Sequence, residues 1–397
     1  MRLLSRYRYP LLAVLIALVA GIVIANAAGG RHSASTSKSA EPIVGISDNN
    51  LFGASAEEQA AQFSAMKSAG ITSVRVDADW SDVQPAGPSS FDWSALDQEV
   101  ESIRATGMSV DLIIDGCPSW AAIPAARHDE FAQPRSATEY ATWAAAVASR
   151  YRAMGVRYYE IWNEPNINQF WRPKPDPAAY TADLVAAYAA IKKVDPAAIV
   201  ISGGLAPASD NGINYNPVTF VADMYADGAK GSFDYLGNHP YSYPLLPNND
   251  DPSSAWSQMY QTTPSVRSVM TANGDGAKKI WITEFGAPSA GRAGVSPAAQ
   301  SETITQALAI ADAQDRGVRR AYLGGRDSTV DHEFLTDRHL SPGVQPGQRA
   351  VAEDQRAVHA AQAEPRRADD RLSVEPQALG HLRPLDGGGE SSLAVAP

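Results

Sequence analysis

The chain has 397 residues, with 33 basic and 44 acidic side chains and a formal net charge of −11. That acidity argues against nucleic acid and against an anionic membrane surface as main partners, since both favour a basic stripe. Hydrophobic residues make up 44%, too many for a disordered chain, and the one cysteine, Cys117, excludes a disulfide framework or a cysteine-built zinc site.

The N-terminus carries Arg2, Arg6 and Arg8 ahead of an apolar run over 11–28 whose one polar member is Asn26. Ala25-Asn26-Ala27 reads as a small-x-small cleavage site, so 1–28 reads as a signal peptide. At about 18 residues the run is also near the minimum for a spanning helix, so an uncleaved membrane anchor is the competing reading. The basic flank keeps the N-terminus inside, so both readings export the rest of the chain. The protein is therefore expected to be secreted or anchored to the outer face of the cytoplasmic membrane. Residues 29–40, rich in Ser, Thr and Gly, read as a linker.

From 41 to 323 short β-branched runs alternate with longer helical patterns. The spacing predicts strands over 43–46, 73–76, 110–114, 158–161, 199–202, 233–236, 279–282 and 319–323. Helices are predicted over 56–69, 94–106, 138–154, 178–194, 255–272 and 296–316. Gly70, Gly107, Gly155 and Gly317 stand where helices should end before a strand. Eight strand–helix steps favour an α/β fold closed as a (β/α)8 TIM barrel. The alternative, an open doubly wound sheet, often carries a Gly-rich phosphate turn after its first strand. Here Ile46 is followed by Ser-Asp-Asn-Asn.

Residues 324–397 differ in character: no Trp, Tyr or Lys, one Phe (Phe334), and a bias toward Arg, Ala, Pro and Gly. Two readings compete, a natural disordered tail and out-of-frame translation of a GC-rich gene. No last barrel helix is visible, so the eighth βα unit is expected to be incomplete.

In a parallel barrel the reacting groups sit at the C-terminal ends of strands. The fourth strand runs into Trp162-Asn163-Glu164-Pro165-Asn166 and the seventh into Thr283-Glu284-Phe285-Gly286, so each ends on a carboxylate. Two facing carboxylates are what glycoside hydrolysis needs, one protonated to assist the leaving oxygen and one ionised. A separation of about 5–5.5 Å gives retention of configuration and about 6.5–9.5 Å gives inversion.

These two motifs, both at predicted strand ends, resemble those of clan A glycoside hydrolases, with families 5 and 39 nearest, over about 43–323. The resemblance implies Glu164 as acid/base, Glu284 as nucleophile, net retention, and Asn163 as a hydrogen-bond partner of the sugar 2-hydroxyl. It also implies roles in substrate binding for His239 and Tyr241, in Asn238-His239-Pro240-Tyr241, with the Tyr hydroxyl donating to the nucleophile. Arg75 lies within the second strand, where a cation is costly unless paired, so it is expected to support Glu284 and hold its pKa down, and it is counted with the substrate-binding residues. Asp77-Ala78-Asp79-Trp80 and Pro118-Ser119-Trp120 match the family's rim, and Trp80, Trp120 and Trp171 are candidate sugar-stacking platforms, with ordinary packing the alternative. The loop 82–93 also resembles the family's, without a role for each residue. Cys117 reads as an inert thiol. No ligand spacing supports a metal, and the reaction needs no cofactor. The resemblance departs at strand eight, where an aromatic, often Trp, is usual but the chain reads Tyr322-Leu323-Gly324-Gly325.

The function expected is an exported retaining glycoside hydrolase, a monomer, acting on a β-linked polysaccharide. The rival is a non-catalytic carbohydrate-binding barrel at the cell surface.

Overall fold

Eight runs of the sequence become eight strands in a computed structural model that describes residues 43–288, 294–313 and 318–323. They are β1 (Ile43–Ser47), β2 (Ser73–Asp79), β3 (Ser109–Asp115), β4 (Tyr158–Asn163), β5 (Ile199–Gly204), β6 (Leu236–Asn238), β7 (Ile280–Phe285) and β8 (Val318–Leu323). Every paired strand is parallel, in the order β5-β4-β3-β2-β1-β8-β7-β6. Parallel bridges Ile201–Tyr235 and Leu205–Asn238 join the two ends of that order and close the ring. The expected (β/α)8 barrel is therefore the observed fold.

The eighth strand stands where the spacing placed it, at Val318–Leu323 against a predicted 319–323, so the expected incompleteness of the eighth βα unit does not extend to its strand. It is a full six-residue strand that pairs β1 from Ile43–Arg320 to Ile46–Leu323, and it pairs β7 on its other side. Two neighbours satisfy its backbone, which is what holds a strand in place however atypical its sequence. The predicted helix end at Gly317, residues 1–42 and the segment 324–397 lie outside the described residues.

Nine α-helices are described: α1 (Ala56–Ser68), α2 (Trp80–Val83), α3 (Ser94–Ala105), α4 (Ala137–Tyr151), α5 (Pro177–Val194), α6 (Pro217–Ala226), α7 (Ala255–Tyr260), α8 (Val266–Ala272) and α9 (Pro297–Ala313). Their starts are chemically marked. Ser55 and Glu58 form a capping box on α1, and Asp176 and Asn216 cap α5 and α6, each with Pro at the first helical position. After α4 a 3-10 turn ends at Gly155, left-handed at φ +84, which releases the chain into β4.

Three local expectations change. The predicted helix 255–272 is two helices, because Pro264 has no N–H to continue the ladder. The helix α6 was hidden between Asn-Pro and Asp-Gly turn signals. The sixth strand sits three residues later than predicted, because Asp234 exchanges bonds with one residue. Its N–H donates to the Val200 carbonyl and its carboxylate accepts from the Val200 N–H, both at 2.8 Å.

The core has two layers. Outside the ring, Val74, Val76, Leu112 and Ile114 meet Phe63 and Ile103 of the helices, all at most 1% exposed. Each such burial contributes about 1.5–3 kcal/mol before the entropy of ordering is set against it. Inside the ring, Trp281 stacks on Tyr235 at 4.7 Å and meets Tyr158 at 5.4 Å. Among the described residues no helix is long and apolar enough to cross a membrane.

Candidate active site

The two carboxylates stand where regular strand geometry fails. At the end of β4 both Trp162 (φ +69) and Glu164 (φ +46) adopt the left-handed region, which costs a non-glycine residue about 1–3 kcal/mol. The cost is offset by specific anchors: Trp162 Nε1 donates to the Phe170 carbonyl at 2.6 Å, and the Glu164 N–H donates to the Gly204 carbonyl at 3.0 Å. In β7 the register against β8 slips between Ile282 and Phe285, a bulge that re-aims Glu284. Glu164 is 8% exposed and Glu284 4%, so both are nearly enclosed while still reaching solvent. An oxygen of each lies within 4.8 Å of one of the other.

Arg75, on β2, organises the floor of the site and is itself fully buried. Its Nε donates to Glu160 Oε2 at 2.7 Å, its Nη1 to Glu284 Oε1 at 2.5 Å and Ser47 Oγ at 3.0 Å, and its Nη2 to Asn163 Oδ1 at 3.0 Å. The planar fork of five donors makes such a spread of contacts available to arginine and not to lysine. Because Asn163 Oδ1 is taken by Arg75, its Nδ2 donors are turned to the other side of the amide. Burial works against the guanidinium charge, but Glu160 and Glu284 more than reverse this and hold Arg75 well above its ordinary pKa.

The loop after β6 supplies the other partners. His239 Nδ1 lies 2.9 Å from Glu164 Oε1, and its Nε2 lies 3.0 Å from Thr283 Oγ1. The Tyr241 hydroxyl donates to Glu284 Oε2 at 2.9 Å. Burial, reinforced by Arg75, pushes the His239 imidazole well below its usual range, so it is neutral. Burial also pushes the Glu284 carboxyl up, to about 7, while Arg75 and the Tyr241 hydroxyl pull it back. Arg75 thus acts in the expected direction, but burial outweighs it. Two donors favour the charged form of Glu284, whereas Glu164 faces a neutral imidazole. When one proton is shared between the two carboxylates, Glu164 is the better place for it.

Several residues expected to bind substrate stand elsewhere. Arg75 and His239 have no exposed surface, so they address the carboxylates and not a ligand. Trp80 and Trp171 are 1% and 0% exposed. Trp80 stacks on Trp143 at 6.1 Å, and Trp171 meets Trp162 edge-on at 5.0 Å. Both are core rings with no face left for a sugar, which corrects the platform reading. Trp120 keeps accessible surface, with its edge against Trp80 and its Nε1 donating to the Gln84 carbonyl at 2.7 Å. Gln84 Oε1 also accepts from Trp80 Nε1 at 2.7 Å, so the loop 82–93 acts here as an anchor for Trp120. Burial pushes the Cys117 thiol far up, which leaves it unreactive.

Glu160, Thr283, Ser47 and Gly204 complete the network and were missed in the sequence. The available signal was Glu160 itself, a charge inside a buried parallel strand, which requires a partner. Gly204 is required by space: a Cβ there would lie 2.0 Å from His239 Nε2 and 2.5 Å from Thr283 Oγ1. Gly204→Ala is therefore expected to cost at least about 1–3 kcal/mol, read as a lowered Tm, with a loss of any activity that needs His239 in place. An unchanged Tm would show that the ring can give way. Glu164, His239 and Glu284 also form, among the described residues, a group with three ligand-type atoms within 4.8 Å of one another. Those residues are already engaged, Glu164 with His239 and Glu284 with Arg75 and Tyr241.

Comparison with protein families gives a match to Cellulase (glycosyl hydrolase family 5) over residues 36–318, more than two thirds of the chain. The chain belongs to glycosyl hydrolase family 5. Among solved structures it is similar to a family 39 glycoside hydrolase from the gut symbiont Bacteroides cellulosilyticus WH2, with 20% identity and TM-score 0.54, covering 73% of this chain and 59% of that one. It is also similar to an exo-beta-1,4-mannosidase from Opitutaceae bacterium strain TAV5, with 18% identity and TM-score 0.49, covering 71% and 51%. A third is an endo-1,4-beta-mannanase from Rhizomucor miehei, with 17% identity and TM-score 0.47, covering 73% and 88%. The chain thus spans little more than half the length of the first two. Comparison with curated proteins gives no match. Glu164 and Glu284 both fall inside the stretch matched to family 5.

Proposed function

We propose that this family 5 member is a retaining glycoside hydrolase acting on a β-linked polysaccharide. The observation that carries the reading is the Glu164–Glu284 pair at the ends of β4 and β7, with an oxygen of each within 4.8 Å of the other residue's. That closeness supports direct attack by Glu284 in the manner of retaining pairs, whose carboxyl groups stand nearer than those of inverting pairs.

Glu164 protonates the leaving oxygen as a Glu284 oxygen attacks the anomeric carbon and the glycosidic C–O bond breaks. Water then attacks the same carbon, Glu164 takes its proton, and the bond to Glu284 breaks, restoring the first configuration. Arg75 and Tyr241 hold the nucleophile, His239 holds the acid, and the freed Nδ2 of Asn163 suits the sugar 2-hydroxyl. Trp120 is the candidate stacking surface. A binding-only barrel has no use for this network of donors around two carboxylates, which supports the enzymatic reading.

The basic residues Arg2, Arg6 and Arg8 before the apolar run 11–28 support export, either released by cleavage or held at the outer face of the membrane. Plant-type glucan, mannan or xylan and bacterial envelope or exopolysaccharide are the candidate targets, and an anchored enzyme favours the latter two. The test is hydrolysis of glucan, mannan, xylan and aryl β-glycosides by the full chain, with the anomer of the first product followed by proton NMR. A β-product appearing first is the expected result. An α-product would replace retention by inversion, and no hydrolysis of any member would remove the enzymatic reading for these targets.

A further inference from the structure

Glu160 is fully buried and meets donors on both oxygens: Arg75 Nε on Oε2, and the Gly204 N–H at 2.8 Å and Thr283 Oγ1 at 3.0 Å on Oε1. A guanidinium and a backbone N–H can only donate, so the carboxylate of Glu160 is an acceptor throughout, and the single hydroxyl hydrogen of Thr283 goes to it. The Thr283 oxygen can then only accept from His239 Nε2, 3.0 Å away. Nε2 therefore carries the hydrogen of the imidazole. In the neutral ring Nδ1 is then a bare lone pair, 2.9 Å from Glu164 Oε1. Two lone pairs at that distance repel, so a proton must lie between them.

We propose that Glu160 and Thr283 are positioning residues that fix the direction of a hydrogen-bond chain, Glu164 to His239 to Thr283 to Glu160, and thereby keep the catalytic proton on Glu164. The inference rests on the glycosidase reading for its consequence, but the direction of the chain is independent of it. The charged and titratable groups around the Glu164–His239 pair are Arg75 on β2, Glu160 on β4, Tyr241 in the loop after β6 and Glu284 on β7. Arg75 and burial both oppose a charged imidazole, so the shared proton resides on the Glu164 oxygen. Substrate then competes for it, and a turn about the Glu164 Cγ–Cδ bond presents it to the leaving oxygen. Once it has moved, the Glu164 carboxylate again faces the Nδ1 lone pair. That repulsion favours recapture of a proton from the attacking water in the second step.

Two measurements test the chain. Nitrogen-15 NMR of the imidazoles in the full protein, with the His239 signals assigned by their loss in His239→Gln, is expected to show a protonated Nε2 and an unprotonated Nδ1. The opposite tautomer overturns the proposal. Thr283→Val keeps the shape of the side chain and removes the hydroxyl. It is expected to lose about tenfold or more on phenyl β-glycosides of glucose, mannose or xylose, which need acid assistance, and no more than about threefold on the 2,4-dinitrophenyl analogues, which do not. Its alkaline limb moves to lower pH, and Thr283→Ser, which keeps the hydroxyl, restores the pattern. An equal loss on both leaving groups overturns the positioning role and leaves a merely structural one. If the unmodified protein hydrolyses none of these glycosides, the functional reading fails, and the tautomer measurement still decides the direction of the chain.

Discussion

Glu284→Ala is expected to lower turnover by at least about 10⁴-fold, because the variant lacks the atom that makes the covalent bond in the proposed double displacement. Glu164→Gln is expected to behave differently. It loses about 10²–10⁴-fold where the leaving oxygen needs a proton, and far less with a dinitrophenyl leaving group, since only acid assistance is gone. The contrast assigns the two roles without reference to any relative. Azide supplies a further separation: it is small enough for the space left by the Glu284 side chain, and its attack gives a glycosyl azide of inverted configuration. Steady-state kinetics of both variants on one sugar with two leaving groups, plus azide, measure all of this. Turnover within tenfold of the parent for Glu284→Ala would remove Glu284 from the chemistry.

The pH dependence carries its own sign. The Glu284 carboxyl is held above the ordinary range, chiefly by burial, so activity that needs its charged form falls away on the acid side at a higher pH than a free glutamate would give. The same shift bears on stability. A folded-state pKa raised above the unfolded value contributes stability that is fully present below the unfolded pKa and is lost as pH rises through the folded one. Ionised Glu284 is thus maintained against the fold's own preference, and Arg75 and Tyr241 limit that cost.

The strand ends and their carboxylates were legible in the sequence because a parallel barrel puts chemistry in one place, the residue where a β-branched run gives way to a loop. Glu164 and Glu284 satisfy that rule. Arg75 was legible because a cation inside an apolar strand must have partners. Its second partner, Glu160, was not, since pairing across the barrel depends on which strands face each other through the interior. The tryptophans failed for a related reason. A ring placed after a strand can point to the cleft or fold back under the loop, and Trp80 and Trp171 are buried while Trp120 keeps accessible surface. The eighth strand was legible over 319–323 although the sequence after it is atypical, and its place between β1 and β7 is specified by its neighbours' backbones as much as by its own side chains.

Arg75→Met is expected to be the most damaging single change to the fold. Its volume suits the site, but it leaves Glu160 and Glu284, 0% and 5% exposed at their side chains, without their cation. Removing one partner of a buried ion pair typically costs about 3–5 kcal/mol, because the remaining charge keeps its desolvation penalty and loses its compensation. The pH dependence of the loss distinguishes charge from packing. Without Arg75 the Glu284 carboxyl is pushed further up, so the variant's deficit is smallest below the unfolded carboxylate pKa and grows as pH rises past the folded one. Thermal melts of the parent and Arg75→Met across that range measure it. A second change, Glu160→Gln, removes one of the stranded charges and is expected to return part of the lost stability, although the two effects will not add, since both residues belong to one network. Arg75→Lys keeps the charge but cannot reach Ser47, Glu160, Asn163 and Glu284 together, so it should recover less activity than stability. A deficit independent of pH, unrelieved by Glu160→Gln, would mean that Arg75 is held for its shape, and the electrostatic account of the site would have to be abandoned.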